Sequence, residues 1–222
     1  MDVELVITGD GSHTLFVPAL KEHYHSTFGA IRESKHIFID SGLFYFPDHT
    51  ELTIVETGFG TGLNALLTIM EANHHGFTIN YLAIEPYPLE RAIYQQLDYP
   101  EKIGLPESLP LYIDIHEAQY NSKNSITTWF SLVKIKEKLE DVILSAETVD
   151  LVYFDVFSPT VQPELWTDKI FRKVFAAMKH GGILVTYSAK GSVRRALMNA
   201  GFQVEKLPGP PGKREITRAL KK

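Results

Sequence analysis

The chain contains no cysteine, so neither disulfides nor thiolate metal sites are available, and a cytoplasmic location is the default expectation. No apolar run approaches the roughly 20 residues that a bilayer-spanning helix needs, so no membrane partner is expected. The opening residues, MDVELVITGD, are acidic and lack the basic-then-apolar order of a secretory signal. Internal repeats and low-complexity segments are missing as well. What remains is a chain of 222 residues, 44% of them hydrophobic, which suits one large domain able to bury most of its apolar surface.

Acidic and basic residues are unevenly spread. Residues 169–222 hold 13 Lys/Arg and 2 Asp/Glu, whereas residues 1–168 hold 9 and 25. Such polarity fits a polyanion-binding face on an acidic body. It fits also a set of solvated helix faces balanced by the acidic half, and charge alone favours that second reading.

From Leu52 onward, β-branched or aromatic runs alternate with helix-like segments. The runs are Leu52–Thr57, Ile79–Ile84, Ile126–Ile135, Val149–Phe154 and Ile183–Tyr187. The expected helices are Leu63–Ala72, Leu89–Leu97, Glu137–Leu144, Glu164–Met178 and Ser192–Ala200. This order predicts an α/β fold, a mainly parallel Rossmann-like sheet with helices on both faces. Phe202–Leu207 and Glu215–Ala219, flanking PGPPGK, read as an antiparallel pair. GSHTLFVP and KHIFIDSG read as strands of an amino-terminal cap, residues 1–51, on a core of residues 52–222. DIHEAQYNSKNSI reads as a hairpin.

Three segments carry candidate chemistry. In TIVETGFGTGLNALLTI, Gly58, Gly60 and Gly62 alternate between a strand and a helix. Such a turn lets backbone approach a ligand closely, or is a structural turn. The dinucleotide fingerprint fails because its sixth position is Leu63, and no Gly-Lys-Ser/Thr ending marks a phosphate loop. Glu85 closes an apolar strand 25 residues after Gly60, where a carboxylate can accept two ribose hydroxyls. Asp155 closes another buried run and is followed by Phe157, Ser158 and Pro159. It lies too far upstream to cap the helix that begins near Pro163.

The pattern Glu56, Gly58, Gly60, Gly62 resembles the first motif of class I S-adenosylmethionine-dependent methyltransferases. Over nearly its whole length the chain resembles the methyltransferase half of the bacterial tRNA modification enzyme family MnmC and its stand-alone relatives. The strings DGSHTL (Asp10–Leu15), YHSTFGAIRES (Tyr24–Ser34), EPYPL (Glu85–Leu89) and DVFSPTVQPELWT (Asp155–Thr167) carry that resemblance. So do TYSAKGSVRRALMNAGFQVEK (Thr186–Lys206) and GPPGKRE (Gly209–Glu215).

The resemblance implies methylation of the aminomethyl nitrogen of wobble 5-aminomethyl-2-thiouridine in the tRNA anticodon loop, with S-adenosylmethionine as donor. It implies no FAD and no metal in this chain, and a separate FAD-dependent oxidase acting upstream. Cofactor contacts are then expected from Glu56, Gly58, Phe59, Gly60, Gly62, Asn64, Glu85 and Asp155. Relatives place an acid near the adenine at the end of the third strand. The matching place by counting is Ser131–Leu132, which has no acid, and Asp114 is the nearest substitute. Asp155 is expected to orient the amine and accept its proton, with His25 a second candidate base. Tyr24, Ser26, Glu33, Ser34, Phe157, Ser158 and Pro159 are expected around the acceptor. Ser188, Lys190, Arg194, Arg195, Lys213 and Arg214 are expected to meet tRNA phosphates. Two other readings remain open: a methyltransferase for a small-molecule amine, and a non-catalytic nucleotide-binding module.

Overall fold

The structure is a computed structural model that describes residues 2–47 and 51–222; Met1 and residues 48–50 of the expected cap lie outside the described residues. The chain starts with a small antiparallel sheet, β1 (Glu4–Ile7), β2 (His13–Val17) and β3 (Glu22–His23). A short helix α1 (Ala30–Ser34) follows and runs into a π-helical turn over Lys35–Asp40.

The main sheet then forms. Its elements are β4 (Glu51–Thr57), α2 (Leu63–His75), β5 (Thr78–Ile84), the short helices α3 (Arg91–Tyr94) and α4 (Tyr99–Ile103), and α5 (Ser108–Glu117). After these come β6 (Lys123–Ser125), β7 (Phe130–Ile135), β8 (Val149–Phe154), α6 (Asp168–Ala177), β9 (Met178–Thr186), α7 (Gly191–Ala200), β10 (Gln203–Pro208) and β11 (Glu215–Leu220). The strand order is β10-β11-β9-β8-β4-β5-β7-β6. Strands β7, β5, β4, β8 and β9 run parallel, while β6 and β11 are reversed.

Period-two alternation assigns the core. Leu52 and Ile54 of β4 and Leu151 and Tyr153 of β8 enter one cluster with α2, α5 and the π-helical turn. Val55, Val152 and Phe154 point the other way, onto α6 and α7. A strand covered on both faces must be apolar on both, and each such side chain contributes about 1.5–3 kcal/mol on burial. Helix α2 is buried on nearly every side because it lies between the sheet and the amino-terminal segment.

Several expected elements differ. Lys35–Asp40 of KHIFIDSG is π-helical, and Ile37, Phe38 and Ile39 are all buried in succession, which a half-buried strand cannot achieve. Asp114–Glu117 ends α5, where Leu111, Tyr112 and Ile115 share a buried helical face; only the later part of DIHEAQYNSKNSI is strand. The run Ile126–Ile135 becomes a strand only at Phe130, since Ile126 and Thr127 both donate to the Phe130 carbonyl in a turn. Leu89–Leu97 holds just the one-turn α3. The expected helix Glu137–Leu144 is absent. Leu139 and Val142 alone are buried there, Ile143 is 94% exposed, and Lys173 Nζ binds the Leu139 and Glu140 carbonyls.

Two residues expected to meet phosphate are framework instead. Arg194 is buried: its Nη1 donates to Glu215 Oε2 (2.9 Å), its Nε to Thr217 Oγ1 (3.2 Å) and its Nη2 to the Ile216 carbonyl (3.4 Å). Thr217 Oγ1 in turn donates to the carbonyl of buried Ser188 (2.7 Å). The guanidinium therefore fastens α7 to the reversed strand β11. Removing it takes a donor from Glu215, the buried Thr217 hydroxyl and the buried Ile216 carbonyl. Arg194→Met is expected to lower Tm by roughly 5 °C or more, whereas Arg195→Met, on the exposed face of the same helix, shifts it by about 2 °C or less; thermal unfolding of both variants checks the contrast.

Candidate active site at the carboxyl ends of the parallel strands

In a parallel sheet with helices on both faces, the carboxyl ends of the strands open the crevice where ligands bind. Here the ends of β4, β5 and β8, with the segment after β7, deliver the glycine turn, Glu85, Asp155 and Lys138–Glu140 to one cleft of about 710 Å³. That volume is typical of cofactor sites.

The glycines serve backbone closeness, though chiefly toward protein. Gly58 has φ 86°, and a Cβ there would drive into the Asp155 carbonyl oxygen, so the bare residue lets β4 and β8 exchange into their loops side by side. Gly60, at φ 47°, lies under the Tyr24 ring. Gly62 caps α2 in the left-handed conformation, and its Cβ direction is filled by His116 and Phe59 rather than by the cleft.

That turn sets the first residues of α2, and with them Asn64. Asn64 Nδ2 donates to both Glu56 Oε1 and Asp155 Oδ2, each at 2.9 Å. Glu56 is fully buried, and burial raises its pKa well above the usual carboxylate range. Burial also pushes Asp155 up to about 7; the Asn64 bond opposes the rise, Glu33 adds to it and Lys213 subtracts. Glu85 binds the glycine turn, accepting from Gly60 N (3.1 Å) and Tyr87 N (2.8 Å), while burial raises its pKa.

The roof comes from both chain ends. The Tyr24 ring meets Phe157 edge-on at 5.1 Å. His25 is held by hydroxyls, with Nδ1 3.1 Å from Thr14 Oγ1 and Nε2 3.5 Å from Thr61 Oγ1. Burial lowers its pKa to about 4, so it is neutral and weakly basic; this does not suit the general base considered from sequence. Ser26 N donates to Glu33 Oε2 (2.6 Å), and Lys213 Nζ pairs with Glu33 Oε1 (2.6 Å).

Of the residues expected at the site, Tyr24, His25, Ser26, Glu33, Gly58, Phe59, Gly60, Asn64, Glu85, Asp155, Phe157 and Lys213 line the cleft. The others do not. Glu56 lies behind Asn64, and Ser34 is buried in α1. Ser158 is turned to Glu22 (3.0 Å), with Pro159 following it outside the lining. Arg195 and Arg214 are exposed outside it, and Lys190 Nζ donates to Thr160 Oγ1.

Ser131 and Leu132 are at the wrong end of β7: Ser131 Oγ donates to Asn80 Oδ1, and Leu132 is in the core. Asp114 is exposed on α5. The carboxyl end of β7 instead leads to Lys138, Leu139 and Glu140, which do line the cleft. Tyr87, Phe28 and Tyr187 were also missed, although Tyr87 stands two residues after Glu85. Helix α6 is capped by Thr167, whose Oγ1 accepts from Ile170 N (3.4 Å), which leaves Asp155 free of that task.

The cleft fits a cationic nucleoside carrying an amino acid tail. Acidic groups at Glu33, Glu85 and Asp155 line it, and Asn64 Oδ1 beside them is buried with no hydrogen-bond partner. Among the described residues no group of three or more acids or histidines is placed to hold a metal, and no helix is long and apolar enough to cross a membrane.

Comparison with known proteins agrees with this geometry. Residues 105–222 match the model of a family described as S-adenosyl-L-methionine-dependent methyltransferases. The tRNA 5-methylaminomethyl-2-thiouridine biosynthesis bifunctional protein MnmC of Cupriavidus metallidurans is 31% identical over 236 residues, covering 97% of this chain and 33% of that protein. Its counterpart in Magnetococcus marinus is 30% identical over 220 residues, covering 93% and 32%. The chain thus spans about a third of the length of these curated relatives. Among solved structures, MnmC2 from Aquifex aeolicus superposes with a TM-score of 0.81 at 25% identity, covering 100% of this chain and 71% of that one. Spermidine synthase from Thermotoga maritima shares the fold alone, at 10% identity and a TM-score of 0.53, covering 100% of this chain and 72% of that one.

The raised pKa of Asp155 has a consequence for stability. Its folded value, about 7, lies above the ordinary 3.8, so the folded state holds the proton more tightly than the unfolded chain. The wild type therefore loses stability as pH rises from about 4 to 7, and the full penalty persists above that window. Asp155→Asn cannot ionise and keeps an acceptor for Asn64. It is expected to be more stable than wild type at pH 8 by about 1–3 kcal/mol, with the gap narrowing toward pH 5, as read by urea denaturation at both pH values.

Proposed function

Since the chain belongs to the S-adenosyl-L-methionine-dependent methyltransferase family, we propose that it methylates the aminomethyl nitrogen of wobble 5-aminomethyl-2-thiouridine in tRNA. The observation that carries this reading is Asp155: a cleft carboxylate whose pKa is raised to about 7, beside a glycine turn and opposite Glu85. The names of the MnmC relatives support the choice of acceptor.

Glu85 would accept the ribose hydroxyls, with the turn Gly58–Gly60 and Asn64 Oδ1 facing the methionyl tail. When bound, the sulfonium supplies an already activated methyl group. The protein's task is then to align the amine and to keep it unprotonated. Alignment at near-attack distance is worth about 7–11 kcal/mol of the barrier. Asp155 accepts the ammonium proton, and burial makes it a better base than an ordinary carboxylate. Tyr24 and Phe157 wall the acceptor from water. Residues 1–222 act as one methyltransferase unit on this reading, with residues 1–51 covering the site that 52–222 build. A separate FAD-dependent oxidase, acting upstream in the cytoplasm, would supply the aminomethyl group. The anticodon loop would present a flipped base to the cleft, with Arg195 and Arg214 nearest its phosphates.

The deciding experiment incubates the protein with labelled cofactor and tRNA from cells lacking the modification. Conversion of the aminomethyl nucleoside to its methylated form is the expected result; labelling of free amines but no tRNA would transfer the assignment to a small-molecule substrate. Asp155→Asn is expected to lower kcat by about 10²–10⁴-fold, the span typical of a lost general base. The wild-type kcat/KM should rise with pH through about 7, and that limb should be missing in the variant. Affinity for tRNA should fall steeply between low and moderate salt, measured by filter binding.

A further inference from the structure

The acceptor side of the cleft already contains a primary ammonium of the protein's own. Lys213, in the loop between β10 and β11, sets its Nζ 2.6 Å from Glu33 Oε1 and 4.2 Å from the centre of the Tyr187 ring. All three residues line the same cleft as Asp155. Glu33 is buried and held from its other oxygen by Ser26 N. The Tyr187 hydroxyl donates to the carbonyl of Val156, the neighbour of Asp155, at 2.9 Å. A fixed carboxylate edge and an aromatic face form a seat for a primary ammonium.

We propose that Glu33 and Tyr187 bind the acceptor's aminomethyl group as its ammonium on entry, before Asp155 takes the proton, and that Lys213 fills this seat until substrate displaces it. The inference rests on the function proposed above and adds the acceptor's second carboxylate.

Charge balance supports an exchange rather than a permanent pair. A buried carboxylate without a cation is strongly disfavoured, so the unliganded protein needs a substitute ammonium at Glu33. When an aminomethyl ammonium replaces the lysine, one cation succeeds another and the chamber keeps its charge. The two partners also differ in freedom. The Glu33 side chain is only 8% exposed, while that of Lys213 is 28% exposed and belongs to a loop with a left-handed glycine, Gly212. Lysine can withdraw to solvent along its flexible stem; Glu33 has nowhere to go. Seat occupancy by Lys213 reduces the population able to accept substrate, and apparent affinity falls by that fraction.

The test measures steady-state methylation of tRNA carrying the aminomethyl base, at several salt concentrations, for wild type, Lys213→Met, Glu33→Gln and the double variant. Lys213→Met is expected to lower KM about threefold or more, by releasing the occupied fraction, with an unchanged salt slope. Glu33→Gln is expected to raise KM about tenfold, the effect of losing a charged hydrogen-bond partner, and to cancel the gain in the double variant. Lys213→Gln replaces Lys213→Met if that protein fails to fold. A KM that is unchanged on removing the lysine overturns the seat, as does a raised KM with a salt slope shallower by about one, the mark of a lost phosphate contact. A wild type that leaves the aminomethyl base unmethylated overturns the functional reading itself.

Discussion

One amide group ties the site together. Asn64 Nδ2 donates at 2.9 Å to a carboxyl at the end of β4 and to another just beyond β8. The two strands are adjacent and parallel, so their carboxyl ends, and the acids on them, converge. Without a shared donor, two acids in a dry crevice would repel each other or both take up protons. With it they divide the work. Glu56, deeper and fully buried, is the one whose proton affinity burial raises well above the usual carboxylate range. Asp155, at the cleft surface, remains titratable near neutral pH. The glycine turn exists to bring this about: Gly62 starts α2 at the position that points Asn64 between the strands.

The same geometry explains what the sequence disclosed. Glu85 and Asp155 were legible because each closes an apolar run, and a run that stops at an acid marks a strand end. The glycines were legible as a tight turn, though their main neighbours, the Asp155 carbonyl and the Tyr24 ring, are protein. The carboxyl end of the third parallel strand was not legible. Apolar Ile126 extended the third run backward, so counting reached Ser131 and Leu132, whereas the open end of β7 leads to Lys138–Glu140. That stretch is rich in Lys and Glu and reads as a solvated helix, because periodicity does not report a loop held by Lys173 from another helix. Arg194 misled for a related reason. It stands next to Val193 on the inner face of α7, and its partner Glu215 is 21 residues away. A buried basic residue and a phosphate contact look alike until tertiary partners are known.

The amino-terminal strings that looked most distinctive turn out to be one hydrogen-bonded unit. Asp10 Oδ1 accepts from Thr8 Oγ1, Ser12 N and Ser12 Oγ, and Asp10 Oδ2 accepts from Arg32 N. That one carboxylate joins DGSHTL to the helix that carries Glu33. The unit delivers the Tyr24 ring onto Gly60, which has no Cβ to oppose it, and His25 onto Thr61.

This cover, more than any single charge, sets the chemistry of Asp155. Burial is the largest influence on its proton affinity, while Glu33 and Lys213 act in opposite directions. A chamber that relied on a nearby acid to raise the pKa would lose its effect whenever a cation entered. One that relies on excluded water keeps the carboxylate basic as long as the cap stays closed, and the closing groups come from both ends of the chain. Lys213, from the carboxyl-terminal loop, is fastened to Glu33 of the amino-terminal segment, and Phe28 packs over Gly212 of the same loop. On the proposed function, a base whose strength depends on closure would be strongest only once the cleft is sealed, and a sealed cleft is also where an unprotonated amine would be protected from water. On that reading, proton acceptance and water exclusion would be one property of this fold.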